Sequence, residues 1–140
     1  MDSNQPDIEG RFRTLLILWF AMLMSIATFA AMTFIVPGGR TNNRQLSLIL
    51  NCAGIAPLAI SFLIKQRLLD KAIQQQALDH VQVAYVVSFA LTESAALLAF
   101  ADHAVNGAIY FYLGFAIGLL GMLLHFPRKQ HLLDASQQQF

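Results

Sequence analysis

In the stretch "FALTESAALLAF", residues 89–100, a single carboxylate, Glu93, stands among apolar side chains. It is the only ionisable group well inside any of the long apolar runs of the chain. An acidic side chain at the centre of a membrane helix costs about 2.5–3.5 kcal/mol on insertion scales, so its presence calls for a return. Hydrocarbon disfavours the charged form of a carboxyl, which makes such a group a natural site for reversible binding of a proton or monovalent cation. The competing role is packing glue, an acid hydrogen-bonded to a neighbouring helix and fixing its register.

Spacing suggests partners. Thr92 and Ser94 flank Glu93, and Val86, Phe89, Ala90, Ala96, Leu97 and Phe100 share its helix face. The second apolar run carries its own stripe of Ser47, Asn51, Gly54, Leu58 and Ser61 at helical spacing. Counting residues from the loops puts Asn51 at the depth of Glu93, so Asn51 is the first expected partner, with Ser25 or Thr28 behind it. The expected ion-binding set is Glu93, Asn51, Thr92 and Ser94. The alternative for each hydroxyl is a bond to its own helix backbone.

The fourth run holds Gly114, Gly118 and Gly121, a seam of small residues suited to close helix contact with this bundle or another subunit. Pro57 is a candidate kink in the second run. His80, His103, His125 and His131 fall near run ends without metal-ligand spacing and read as interfacial polar residues. No nucleophile motif, phosphate loop or pair of catalytic carboxylates is present, so neither enzyme activity, a cofactor nor a metal is expected.

The elements that must position these residues are membrane helices. The chain is 56% hydrophobic and only 12% charged, about half the usual charged share of a soluble domain. Its apolar runs, about 14–36, 46–64, 81–101 and 107–126, are each near the ~20 residues that cross ~30 Å of hydrocarbon. In lipid the backbone must satisfy its own hydrogen bonds, so all four are expected to be helices. The first is too long for the h-region of a secretion signal, and no small-x-small site follows it. The expected fold is one all-α domain, an integral membrane four-helix bundle. Cys52 is the only cysteine, and a net charge of +1 without basic runs argues against nucleic acid.

Loops and charges set orientation. Arg11, Arg13, Lys65, Arg67, Lys71, Arg128 and Lys129 fall on one side and only Arg40 and Arg44 on the other. This bias places both termini in the cytoplasm, with Tyr110 and Tyr112 at the outer boundary of a multi-pass protein of a bacterial plasma membrane. "PGGRTNNRQ" reads as the first loop and "DHAVN" as the third. "KQRLLDKAIQQQALDH" either continues the second helix or lies along the headgroups. Its "KQRLLD" at 65–70 returns as "KQHLLD" at 129–134, an offset that suggests a duplicated helical hairpin.

From about residue 65 to 103 the order of polar loop, apolar helix and "FALTESAALL" resembles the second helix of subunit c, the proteolipid of rotary ATP synthases. There a Glu or Asp flanked by small residues binds the transported proton or sodium ion, and Glu93 stands at the matching position. A duplicated hairpin with one carboxylate is also similar to the fused proteolipids of vacuolar-type rotors. The resemblance implies a proteolipid-like subunit working with other membrane subunits; the competing class is a non-catalytic accessory or assembly subunit. A reporter that functions only outside the membrane, fused to Phe140, is expected to stay inactive. Activity there would overturn the orientation read from the loops.

Overall fold

A computed structural model describes residues 8–41, 43–107 and 110–137. Among them are five helices and no strand: α1 (Ile8–Ile35), α2 (Arg44–Gln75), α3 (Leu78–Asn106), α4 (Phe111–Leu124) and α5 (Lys129–Gln137). The first three are long and apolar enough to cross a membrane, and a fourth crossing results if α4 and α5, bent by 43° at their junction, form one span. Large apolar side chains such as Ile17, Phe20, Phe34, Ile49, Leu63 and Leu124 face outward. That arrangement is stable against hydrocarbon rather than water. The chain is an integral membrane protein by these criteria.

The helices depart from the limits of the apolar runs. "KQRLLD" adds no separate element, because α2 continues without a break to Gln75 and closes on Gln76 in the left-handed conformation. "DHAVN" is the last turn of α3 and not a loop. Asp102 and Asn106 bond to each other across that turn, and Gly107, at φ +65°, ends it. The fourth run yields a helix of only 14 residues, roughly 21 Å long. "KQHLLD" follows as the separate α5, because buried Pro127 has no N–H to continue the helix.

α3 is the centre of the molecule. Its buried residues Val81, Tyr85, Ser88, Thr92, Ala95, Ala99, Asp102 and Asn106 recur every three or four positions, and it packs on every other helix. α1 packs on α3, α4 and α5, and α2 packs on α3, α4 and α5. Among the described residues α1 and α2 do not pack on each other, so consecutive helices occupy opposite flanks of the α3–α4 pair. The halves of the proposed duplication are therefore not alike: α3 and α4 form a packed hairpin, whereas α1 and α2 do not.

The seam residues Gly114, Gly118 and Gly121 are buried against α3 and α2. A Cβ on Gly114 would lie 2.6 Å from the Cβ of Ala99, and one on Gly118 would lie 3.4 Å from that of Ala96. A Cβ on Gly121 would collide with Leu58. Gly54 of α2 meets Ala95 in the same manner. The segment between α1 and α2 then crosses the end of α3 and satisfies its last carbonyls. Gly39 N–H donates to His103 O at 3.0 Å and the Thr41 hydroxyl to Val105 O at 3.0 Å. A side chain on Gly39 would occupy the position of the Val105 carbonyl.

Room for one methyl but not for a branched side chain gives a graded expectation at Gly118. Gly118→Ala should leave stability near that of the parent, because the close contact of its methyl with Ala96 offsets the roughly 1 kcal/mol that the helix gains from alanine. Gly118→Leu should cost about 1–3 kcal/mol by overpacking. Thermal unfolding in detergent reads the difference, and equal midpoints for both variants would contradict the contact.

Candidate functional site

Besides Asp79 in its first turn, α3 carries two carboxyls in contrasting settings, Glu93 and Asp102. Glu93 lies fifteen residues from the first residue of α3 and thirteen from the last, which places it about 20 Å from either end. It is half-buried, where α3 meets α1. Among the described residues it makes one hydrogen bond, received from the Ser25 hydroxyl of α1. The pairing follows from register. Arg11 of α1 bonds Asp79 of α3, and Ser25 and Glu93 are each fourteen residues further along two helices running the same way. Phe29 and Phe100, with ring centroids 5.8 Å apart, close the contact on the far side of that pair. The face of Glu93 is split. Phe89 and Ala96 are buried, while Val86, Ala90 and Leu97 are exposed toward the surroundings.

Asp102 is fully buried. Its carboxylate accepts from the Ser47 hydroxyl at 2.5 Å, from Asn51 Nδ2 at 3.2 Å and from Asn106 Nδ2 at 3.2 Å. Asn106 in turn brackets the start of α2, its Oδ1 accepting from Asn43 N–H and its Nδ2 donating to Asn43 O. Asn43 caps α2 by accepting from the N–H groups of Gln45 and Leu46. One carboxylate thus ties the cap and first turn of α2 to the last turn of α3. Two of its three donors are amide N–H groups, which donate and cannot accept. The lone hydroxyl at Glu93 can do either.

The four residues expected to share an ion site do not converge. Asn51 pairs with Asp102 and with the carbonyl of Ser47, 2.8 Å away, and its buried Oδ1 has no hydrogen-bond partner among the described residues. Thr92 donates to Ser88 O at 2.8 Å and faces the glycine seam. Ser94 donates to Leu91 O at 2.6 Å. Thr28 bonds the carbonyl of Met24. Of the proposed partners only Ser25 reaches Glu93. The physical reason is that α1, and not α2, lies against the face of α3 that carries Glu93.

Sequence reasoning missed Asp102, assigned to a loop, and His125, assigned to the interface. His125 is fully buried; Nδ1 bonds Gly121 O at 2.8 Å and Nε2 pairs with the Ser61 hydroxyl at 3.1 Å. His103 is also buried, its Nε2 against Val36 O at 2.9 Å. The signal for Asp102 was available in two matched polar pairs at i, i+4, Ser47 with Asn51 and Asp102 with Asn106, near facing helix ends. Among the described residues no three His, Cys, Asp or Glu side chains are grouped so as to hold a metal ion.

Comparison of the chain with protein-family models, curated proteins and solved structures found no match.

The two carboxyls should respond differently to loss of a partner. Asp102→Ala removes three hydrogen bonds, at about 1–3 kcal/mol for each buried donor left unmet, the Ser47 hydroxyl and one N–H of Asn106 among them, whereas Ser25→Ala removes one hydrogen bond worth about 0.5–1.5 kcal/mol. Equilibrium unfolding in detergent is expected to show the larger loss for Asp102→Ala. The reverse order would contradict the roles assigned to the two sites.

Proposed function

We propose that the protein is a small proteolipid-like membrane subunit in which the Glu93 carboxyl reversibly binds a proton or a monovalent cation. One observation carries the reading. At mid-helix, Glu93 is half-buried and held by a single neutral hydroxyl, while the other buried carboxyl of the same helix is enclosed by three donors. A carboxyl that served only to fasten helices would be expected to resemble Asp102. Ser25 can donate to the ionised carboxylate and can accept from the protonated acid, so neither state is left without a partner. No salt bridge joins Glu93 to a cation among the described residues, so exchange of a proton or ion breaks no strong pair.

In this proposal α1 acts as the movable wall of the site. Its outer face is turned away from the other helices, and Met24, next to Ser25, is exposed. Both termini are cytoplasmic, as the loop charges imply. The half-open side of Glu93 then faces lipid or a neighbouring subunit near the membrane midplane, the position from which a carboxyl can hand its ion to a partner. The likeness of "FALTESAALL" to the carboxylate helix of subunit c points the same way. The competing role, a non-catalytic accessory subunit with Glu93 as a helix fastener, predicts a different response to chemistry.

Dicyclohexylcarbodiimide, which attacks protonated carboxyls in an apolar setting, should modify Glu93 in liposomes faster as pH falls, read as a mass increase on the peptide that contains it. A monovalent cation that occupies the site should slow the reaction. Glu93→Gln should fold as the parent does, resist modification and abolish function in cells. A Glu93 that is unreactive at every pH, or a folded Glu93→Gln variant with full function, would transfer the chain to the accessory class.

A further inference from the structure

At the end of the molecule opposite Asp102, one buried aromatic ring organises basic groups from three elements. Tyr85 of α3 is fully buried. The Lys65 ammonium of α2 lies 4.3 Å from the centroid of its ring. Its hydroxyl accepts from the backbone N–H of Arg128, in the α4–α5 junction, at 3.0 Å. The same hydroxyl pairs with Nδ1 of His131, on α5, at 2.7 Å. Lys65 and Arg128 are close enough to repel each other, and both act on His131. The charges are thus gathered rather than dispersed.

Among the described residues no ion pair neutralises Lys65 or Arg128; the salt bridges there are Arg11–Asp79 and Lys129–Glu9. Asp134 is the acidic group acting on His131, and its carboxylate accepts from Gln130 at 3.1 Å. Neighbouring Arg67 and Lys71 point outward, whereas Lys65 is turned inward over Tyr85. Like charges held together by a buried scaffold call for an external anion. The cluster lies where the apolar part of α2 gives way to its polar extension, the level of the headgroups.

We infer that Lys65 and Arg128 form a binding site for a phosphate-bearing anion at the membrane surface, with Tyr85 as the positioning residue that holds the ammonium, the junction backbone and His131 in place. A lipid headgroup phosphate fits the location. The guanidinium supplies planar paired donors and the ammonium a point charge, the combination used for phosphate. The site is independent of Glu93 and of the function proposed for it.

The test uses the full chain purified in detergent, with bound lipid counted by native mass spectrometry and unfolding followed against added phosphatidylglycerol, phosphatidylcholine or inorganic phosphate. The parent should retain and be stabilised by phosphatidylglycerol over phosphatidylcholine. The combined Lys65→Gln and Arg128→Gln variant should lose about tenfold or more of that affinity, while Arg67→Gln with Lys71→Gln, which removes the same charge nearby, should stay within about twofold. Arg128→Gln alone, at an exposed side chain, keeps the test available should the double variant fold poorly, and it too should weaken retention. Stabilisation by inorganic phosphate alone, lost in the Lys65/Arg128 variants, would uphold the site with a free anion as its ligand. Equal losses in the two double variants, or no preference for either phosphate source in the parent, would overturn it.

Discussion

Between Thr92 and Ala99, α3 approaches α2 and α4 so closely that the contacts admit little beyond a methyl group, and the rest of the structure depends on that approach. Gly54 against Ala95, Gly114 against Ala99 and Gly118 against Ala96 bring three backbones together. In hydrocarbon no hydrophobic force separates protein from solvent, so packing at short range is what holds helices to one another. Small residues are consumed at these seams and the large apolar ones are left for the periphery. Tyr85, Phe89, Phe111 and Phe115 belong to the buried apolar core beside these seams.

The polar side chains sort themselves against this frame. Those near the helix ends are drawn into dense clusters, Asp102 with Ser47, Asn51 and Asn106 at one end and Tyr85 with Lys65 and His131 at the other. A buried polar group is costly unless its hydrogen bonds are made, and clusters at the ends make them. Midway, Ser88 and Thr92 return to the carbonyls of their own helix. Glu93 is the exception, a carboxyl at mid-depth with one hydroxyl partner and one open side. The contrast between an enclosed and an open carboxyl on one helix gives the functional proposal its physical content.

The connection between α1 and α2 is part of the same economy. Because these helices sit on opposite flanks of the α3–α4 pair, the chain must pass over the end of α3, where unpaired carbonyls need donors. Gly38 and Gly39 press against His103, Val105 and Gly107, and Asn43 and Asn106 lock the far side. A turn by composition thus serves as a cap on a third helix.

Much of this was legible in the residues alone. Long apolar runs set the all-α class and the three long helices, because a backbone in lipid has no alternative partner to itself, but not the division of the fourth run and the tail into α4 and α5. The stripe of Ser47, Gly54 and Ser61 and the seam of Gly114, Gly118 and Gly121 named the close-packing faces, since helical period and residue size are local properties. Neighbour identity was not legible. Asn51 and Glu93 match in depth, yet depth along an axis says nothing of which face of α3 each neighbouring helix occupies. The tertiary structure put α1 on the Glu93 face and α2 on the Asp102 face, so Ser25 became the partner of one carboxyl and Asn51 of the other. It also continued α3 through "DHAVN", where a bond between Asp102 and Asn106 and a left-handed Gly107 decide the end of the helix. The sequence determined which side chains require burial and at what spacing. Only the packing of helices distant in sequence decided with which partners they are buried, because in a membrane that choice rests on short-range fit between whole surfaces and not on any local pattern.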